Sequence, residues 1–336
     1  MPHTPIKALN EGDAVKQFFS VRQAKSGATK AGKPFLSLTL GDHRGALPAK
    51  VWSEVLSKCP GPFKAGDIVG VHGQVGVFEG ERQLTVKYIK TLEVLEARGS
   101  QLLKEFDPDL LYLSTPYDRE ELWRELLDLA AGHIDPPLQD LVLCLLEKHQ
   151  EAFKSWPGAQ MYHHAYVGGL LEHTVMVARA VLAALTVYPQ LHRSLALAGA
   201  ILHDLGKIKE LANPVAPDIT VDGQLLGHIA LGWDMVRDEA RILEFPDANL
   251  LRQLEHIILS HHGELEFGSP VVPKTPEAFL VHYLDDLDTK LHMAHHHLQS
   301  DTGDSEFTSY HRVLKRGLYK GGNAPAPEPP TGIDSK

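Results

Sequence analysis

The chain has 336 residues, 43% of them apolar and 23% charged. That is the composition of a globular protein of roughly two domains, and it excludes a collagen-like, coiled-coil or wholly disordered chain. The net charge of −10 is unevenly spread: residues 1–92 carry 13 Lys+Arg against 7 Asp+Glu, a net of +6, and the remainder carries −16. A basic front segment of this kind points to a polyanionic partner.

The first segment reads as a run of short strands. Residues 14–22 are β-branched and aromatic, 24–34 form a Gly/Lys turn, and 35–40 alternate with period two. Residues 47–52, 68–75 and 83–89 follow, separated by Gly-containing turns at 41–45, 63–67 and 79–81. Five short strands with such turns suit a small barrel, and with the basic charge they predict an OB-fold over residues 1–92. Residues 93–117 carry weak signals and two X-Pro steps, and read as a linker with a short helix. From there to residue 316 the apolar period becomes helical, with helices predicted at 118–133, 137–154, 169–188, 192–203, 223–243, 249–260 and 275–298. The fold class is thus a multidomain chain, an all-β barrel followed by an all-α body. Residues 317–336, rich in Pro, are predicted to be a disordered tail.

No stretch reaches the ~18 uncharged apolar residues of a membrane span. The N-terminus shows no basic region followed by an apolar one, as a secretory signal would. Two cysteines, Cys59 and Cys144, cannot build a disulfide framework or a thiolate metal site. Together these predict a cytoplasmic protein.

The chemistry lies in the histidines. Of 20, only His3, His43 and His72 precede residue 100. In the helical body an ordered series stands out: Leu-Glu-His173, Leu-His203-Asp204-Leu-Gly-Lys207, Leu-Gly-His228, Ser-His261-His262-Gly, and Asp285-Asp-Leu-Asp288. Imidazole and carboxylate are ligands for divalent first-row metals, with Mn, Co, Fe, Ni and Zn all suited. Five His and two Asp exceed one tetrahedral ion and suffice for two ions sharing a carboxylate, an arrangement that clamps the attacking and leaving oxygens of a phosphate ester. His203 and Asp204 are adjacent, so both reach one ion only where the helix ends or bends, and Gly206 offers such an end. Lys207 then lies near the site as a phosphate contact. Spacing alone leaves Asp285, Asp286 and Asp288 equivalent.

This series resembles the HD superfamily of metal-dependent phosphohydrolases. The longer strings His163-His164-Ala-Tyr-Val-Gly-Gly-Leu-Leu-Glu-His173-Thr, Ile201-Leu-His-Asp-Leu-Gly-Lys207 and Leu259-Ser-His-His-Gly263, with Phe267-Gly-Ser-Pro270, resemble the bacterial YhaM-type 3′→5′ exoribonucleases, which also carry an N-terminal OB module. The resemblance implies His173, His203, Asp204 and Asp285 as core ligands, with Asp204 bridging. It implies His228, His261 and His262 as further ligands, and Lys207 as the group that orients or neutralises a phosphate. Asp285 is preferred over Asp286 because Asp285 and Asp288 reproduce the family's D-x-x-D spacing. The implied activity is removal of nucleoside 5′-monophosphates from the 3′ end of single-stranded RNA, with single-stranded DNA a further candidate.

His164 is a candidate either to touch substrate or to support a ligand. His256, five residues before His261 and off its helical face, reads as structural, and so does the run His295–His297, since sequential helical residues cannot all face one ion. In the barrel, Lys33, Phe35, Arg44, Lys50, Trp52 and Tyr88, with His72 and Phe78, are candidates for stacking bases beside a basic groove; Phe35 and Trp52 fit the barrel core equally well. Wide apolar helix faces are compatible with a homo-oligomer. Three alternatives share parts of this pattern. A nucleotide phosphohydrolase would have no use for the barrel. A cyclic-dinucleotide phosphodiesterase is disfavoured because no Tyr follows the paired His. A non-catalytic RNA-binding protein is disfavoured by the complete ligand set.

Overall fold

The computed structural model describes residues 3–29, 32–43, 45–78, 80–107, 110–159, 164–214 and 218–321. Strands β1 (Ala14–Ala28), β2 (Pro34–Asp42), β3 (Gly45–Trp52), β4 (Ile68–Phe78) and β5 (Glu81–Thr91) close a barrel in the order β1-β2-β3-β5-β4. All pairs are antiparallel except β3 with β5. Alternate residues fill the interior: Val15, Phe19, Leu38, Leu40, Ala49, Val51, Val69, Val71, Leu84, Val86 and Ile89 are all buried there. A short helix, α1 (Ser53–Lys58), joins β3 to β4 and buries none of its residues.

β1 runs six residues past the predicted strand, because Lys25, Ser26, Gly27 and Ala28 keep pairing with Ser37, Leu36, Phe35 and Pro34. The reversal is therefore confined to the tip of this long hairpin.

Residues 93–117 are not a free linker. Helix α2 (Leu92–Ala97) and a 3-10 turn at Gln101–Glu105 fold back on the barrel, where Leu95 and Leu111 bury with Phe18 in a small core of their own. Ser20 Oγ donates to the carbonyl of Leu111, fastening the segment's far end to β1.

The helical body comprises α3 (Arg119–His133), α4 (Leu138–Lys148), α5 (Gln150–Ser155), α6 (Gly169–Val187), α7 (Arg193–Leu202), α8 (Lys207–Glu210), α9 (Val221–Ile242), α10 (Ala248–Ser260) and α11 (Pro276–Ser300). Their starts follow capping chemistry. Asp118, Thr220, Asp247 and Thr275 each accept a backbone N–H of the first turn, and Pro276 occupies the first helical position of α11. The predicted helix 137–154 is two helices, because His149 leaves helical geometry at φ −117°, ψ 17°. α6 is long and apolar enough to cross a membrane. Here it is the central core helix, and among its buried residues are the polar Glu172 and His173.

The last described segment also departs from expectation. Residues 317–320 are not disordered: Tyr319 bridges to Phe307, Thr308 N donates to Leu318 O, and Lys320 N donates to Glu306 O. The remaining tail, 322–336, lies outside the described residues.

Candidate metal centre

The body packs its helices so that one polar cluster sits inside an otherwise apolar core. α6 contributes His173, α9 His228, the end of α10 His261 and His262, and α11 Asp285. α7 stops at Leu202, and residues 203–206 form a turn held by i→i+3 bonds from Leu205 N to Leu202 O and from Lys207 N to Asp204 O. That break lets His203 and Asp204 face the same point. Gly206 is needed for a different reason from the one expected. Its φ of −65° is right-handed, so it is no left-handed cap. A Cβ there would stand 1.9 Å from the carbonyl oxygen of His228 and 2.5 Å from Gly232 N. Glycine lets α8 and α9 approach closely enough for His228 to join the cluster.

The ligand atoms converge in two groups on either side of Asp204. His173 Nε2 lies 3.2 Å from His203 Nε2, 3.5 Å from Asp204 Oδ2 and 3.2 Å from Asp285 Oδ1, and His203 Nε2 lies 3.3 Å from Asp204 Oδ2. On the other side, Asp204 Oδ1 is 3.5 Å from His228 Nε2 and 3.6 Å from His261 Nε2. The ligand nitrogens of His228, His261 and His262 fall within 4.8 Å of one another. Asp204 Oδ1, His228 Nε2 and His261 Nε2 are buried without a hydrogen-bond partner. A buried polar atom in that condition costs ~1–3 kcal/mol. Three such atoms directed at one point, all of them electron-pair donors, fit a bound divalent cation. Residues 170–290 match the family model for the HD domain.

The helical region contains an HD domain. HD domains bind divalent metals, and this one indicates a metal-dependent phosphohydrolase. Residues 20–92 match the family model for an OB-fold nucleic acid binding domain. The barrel is also similar to the solution structure of the second OB-fold domain of replication protein A from Methanococcus maripaludis, at 24% identity over 28% of this chain and 96% of that one, with a TM-score of 0.22. Joined to the OB-fold, the HD domain marks the chain as a hydrolase acting on nucleic acid.

Each of the five candidate ligand imidazoles is held from behind through Nδ1. His203 Nδ1 donates to Ala200 O at 2.8 Å, His261 Nδ1 to Ile258 O at 2.7 Å, and His262 Nδ1 to Phe267 O at 2.8 Å. His228 Nδ1 donates to Glu210 Oε1 at 3.1 Å and His173 Nδ1 to Asp288 Oδ2 at 2.7 Å. A donor role at Nδ1 leaves Nε2 as the ligand atom, which is how outer partners fix the tautomer and aim of metal-binding histidines. Asp288 and Glu210 are thus partners of candidate ligands, a role that the sequence does not assign to either. The D-x-x-D spacing was the one signal for Asp288, and none pointed to Glu210.

Charge is balanced internally. Burial raises the Asp204 carboxyl, but Lys207 and His203 outweigh it and hold the group well below the carboxylate range; Lys207 Nζ sits 2.5 Å from Asp204 Oδ2. Burial would lower His173, yet hydrogen bonds to Asp285 and Asp288 raise it to about 10. His262 is pushed down to about 3 by burial and by the neighbouring His261 and His228, so it is neutral and ready to donate a lone pair. Of the two adjacent carboxylates, Asp285 turns to His173, whereas Asp286 pairs with Lys290 at 2.5 Å.

His164 takes the supporting role and does not face solvent. It is 2% exposed, its Nε2 lies 3.1 Å from Asp288 Oδ2, and its Nδ1 lies 3.1 Å from Tyr166 Oη. Tyr166 in turn donates to Glu172 Oε2 at 2.9 Å and contacts His292 Nε2 at 3.1 Å. Of the two roles considered for His164, these contacts favour support of a ligand over contact with substrate. His256 Nε2 accepts Lys274 N, and His297 Nε2 donates to Ser309 O. His163 lies outside the described residues.

On the barrel, the register places several candidates on the outer face. Phe35 pairs with Trp52 and Ser37 with Lys50. The Phe35 and Trp52 rings are 5.7 Å apart, and Lys50 Nζ stands 4.3 Å over the Phe35 ring while donating to Ser37 Oγ. Trp52 is 42% exposed, so neither ring belongs to the barrel core. Phe35 packs over Gly27, where a Cβ would come within 2.5 Å of its ring. Lys25, Thr85 and Gln74 extend the same row across neighbouring strands. Tyr88 packs 5.4 Å from His72, one row away. Lys33 is exposed near the β1–β2 reversal and Phe78 at the end of β4. Arg44 lies outside the described residues.

Proposed function

We propose that this chain is a 3′→5′ exoribonuclease that hydrolyses single-stranded RNA to nucleoside 5′-monophosphates, with single-stranded DNA as a second substrate, using two divalent ions held by the HD domain. The observation that carries the reading is the placement of Asp204. One of its oxygens faces His173 and His203, and the other faces His228 and His261, so a single carboxylate can serve both ligand groups. Divalent ions bound there supply activated water and Lewis-acid stabilisation of a phosphodiester.

The protein's part is to bind, aim and neutralise. The Nδ1 contacts to Ala200, Ile258, Phe267, Glu210 and Asp288 fix the imidazoles before substrate arrives. Lys207, nearly buried beside Asp204, places the cluster's ammonium where a scissile phosphate would lie. The cleft over these residues opens to solvent and has a volume of about 290 Å³. The basic barrel holds the strand through its backbone charge and through stacking on Phe35 and Trp52, and passes its 3′ end to the cleft.

The test is a time course with 5′-labelled single-stranded RNA and Mn²⁺, beside Asp204→Ala. The expected result is a ladder that shortens from the 3′ end and is absent in the variant. RNA that stays intact yet shifts in a binding gel would overturn the reading in favour of a different phosphoester.

A further inference from the structure

One string in the sequence, Phe267-Gly-Ser-Pro270, plays no part in the ligand set, yet the fold brings its first residue to the cleft. The loop from His262 to Ser269 is tightly built. Gly263 has φ +79° and packs so closely on the His282 ring that a Cβ would lie 2.1 Å from it, and Gly268 has φ +87°. Glu264 N donates to His262 O, Ser269 N to Glu264 O, and Ser269 Oγ to Leu259 O. Phe267 stands on this loop with two separate functions. Its carbonyl receives His262 Nδ1, and its phenyl ring lines the cleft with 64% of the residue exposed. The same cleft has Asp204, His261 and Asp285 among its walls, with Lys207 beside them.

Single exposed apolar side chains are ordinary, and it is the place of this ring that matters: a tightly hydrogen-bonded loop holds it in the wall of the cleft that contains the candidate ligands. Its position suits the part of a nucleotide that the metal centre does not address. We infer that the Phe267 ring is the base-stacking wall of this cleft and holds the terminal nucleobase while its phosphate lies over Asp204 and Lys207. The inference rests on the reading of the cleft as a nuclease site and names what that site grips. Stacking accepts every base because every base has a π-face. The subsite therefore admits any 3′-terminal nucleotide and favours purines over pyrimidines by overlap area, which is the tolerance an enzyme needs to proceed through a strand of mixed sequence.

The test is calorimetric binding of adenosine 5′-monophosphate and of ribose 5-phosphate to the full chain with Mn²⁺, for the native protein, Phe267→Ala and Phe267→Tyr. The native protein is expected to bind the adenine nucleotide about tenfold more tightly than the base-free sugar phosphate, within the range for one base on one ring. Phe267→Ala should erase that preference without changing ribose 5-phosphate binding or metal content, because the carbonyl that holds His262 remains. Phe267→Tyr should restore it. Equal affinities in the native protein, or a preference that survives in Phe267→Ala, would overturn the inference. Native protein that shows the preference but leaves labelled RNA intact would sink the exonuclease reading and leave the base subsite standing.

Discussion

At the scale of single residues, the centre depends as much on the groups behind the ligands as on the ligands. Asp288 bonds both His173 and His164, and Glu210 bonds His228 through both its ring and its backbone N–H. Removing the charge from either should misaim one imidazole without removing it. Asp288→Asn and Glu210→Gln are each expected to weaken metal binding by about 10–100-fold, the usual cost of losing such a partner. Asp286→Asn, whose carboxylate pairs with Lys290, should leave it unchanged. Titration against a chelator of known affinity reads all three, and equal losses in the three variants would mean that general surface charge sets the affinity. The candidate ligands are legible because imidazole and carboxylate announce their chemistry. Glu210 and Tyr166 are not, since an outer partner is defined only by where folding puts it, and a Glu or a Tyr near a helix end looks ordinary in sequence.

At the scale of elements, polar contacts between helices fix the frame around the site. α4 and α9 are clamped by Glu239, a buried carboxylate that receives Lys148 Nζ at 2.6 Å and Cys144 Sγ at 3.2 Å. The hydrogen bond from Lys148 outweighs burial and holds the Glu239 carboxyl below its ordinary 4.5. A depressed carboxyl stabilises the fold above its unfolded value, and that contribution fades as pH falls through the folded one. Glu239→Gln should therefore melt at a lower temperature than the native protein at pH 7, and the gap should close as pH drops below 4.5. Melting curves across that range decide it, and a gap independent of pH would assign the effect to packing. The long amphipathic helices were readable from apolar spacing, and the barrel strands from alternation. Apolar spacing is silent where a few residues settle the matter: α1 is six residues with no buried side chain, and His149 breaks a continuous apolar pattern. Leu95 and Leu111 turn an apparent linker into a flap on the barrel because Phe18 gives them something to bury against.

At the scale of the whole molecule, charge separates two tasks. The net +6 of residues 1–92 suits an extended polyanion, while the acidic remainder surrounds a centre whose ligands call for cations. If the barrel's outer face holds the strand and the HD domain cuts it, the two contributions should divide by substrate length. The double variant Phe35→Ala, Trp52→Ala removes one half-buried and one exposed ring without opening the barrel core. It is expected to raise KM for a ~20-nucleotide RNA by about tenfold or more, given ~1–3 kcal/mol per stacked base, with kcat unaltered. A dinucleotide held by the cleft alone should be hydrolysed as by the native protein. Lys50→Glu should act in the same direction and flatten the salt dependence of KM, because it removes the cation beside these rings and with it the counterion release that a phosphate contact there would bring. Steady-state kinetics on the two substrates at two ionic strengths separate the cases. A fall in kcat on the dinucleotide would show that the barrel face acts on the chemistry of the HD domain, and an unchanged KM on the long strand would place the strand's path elsewhere on the molecule.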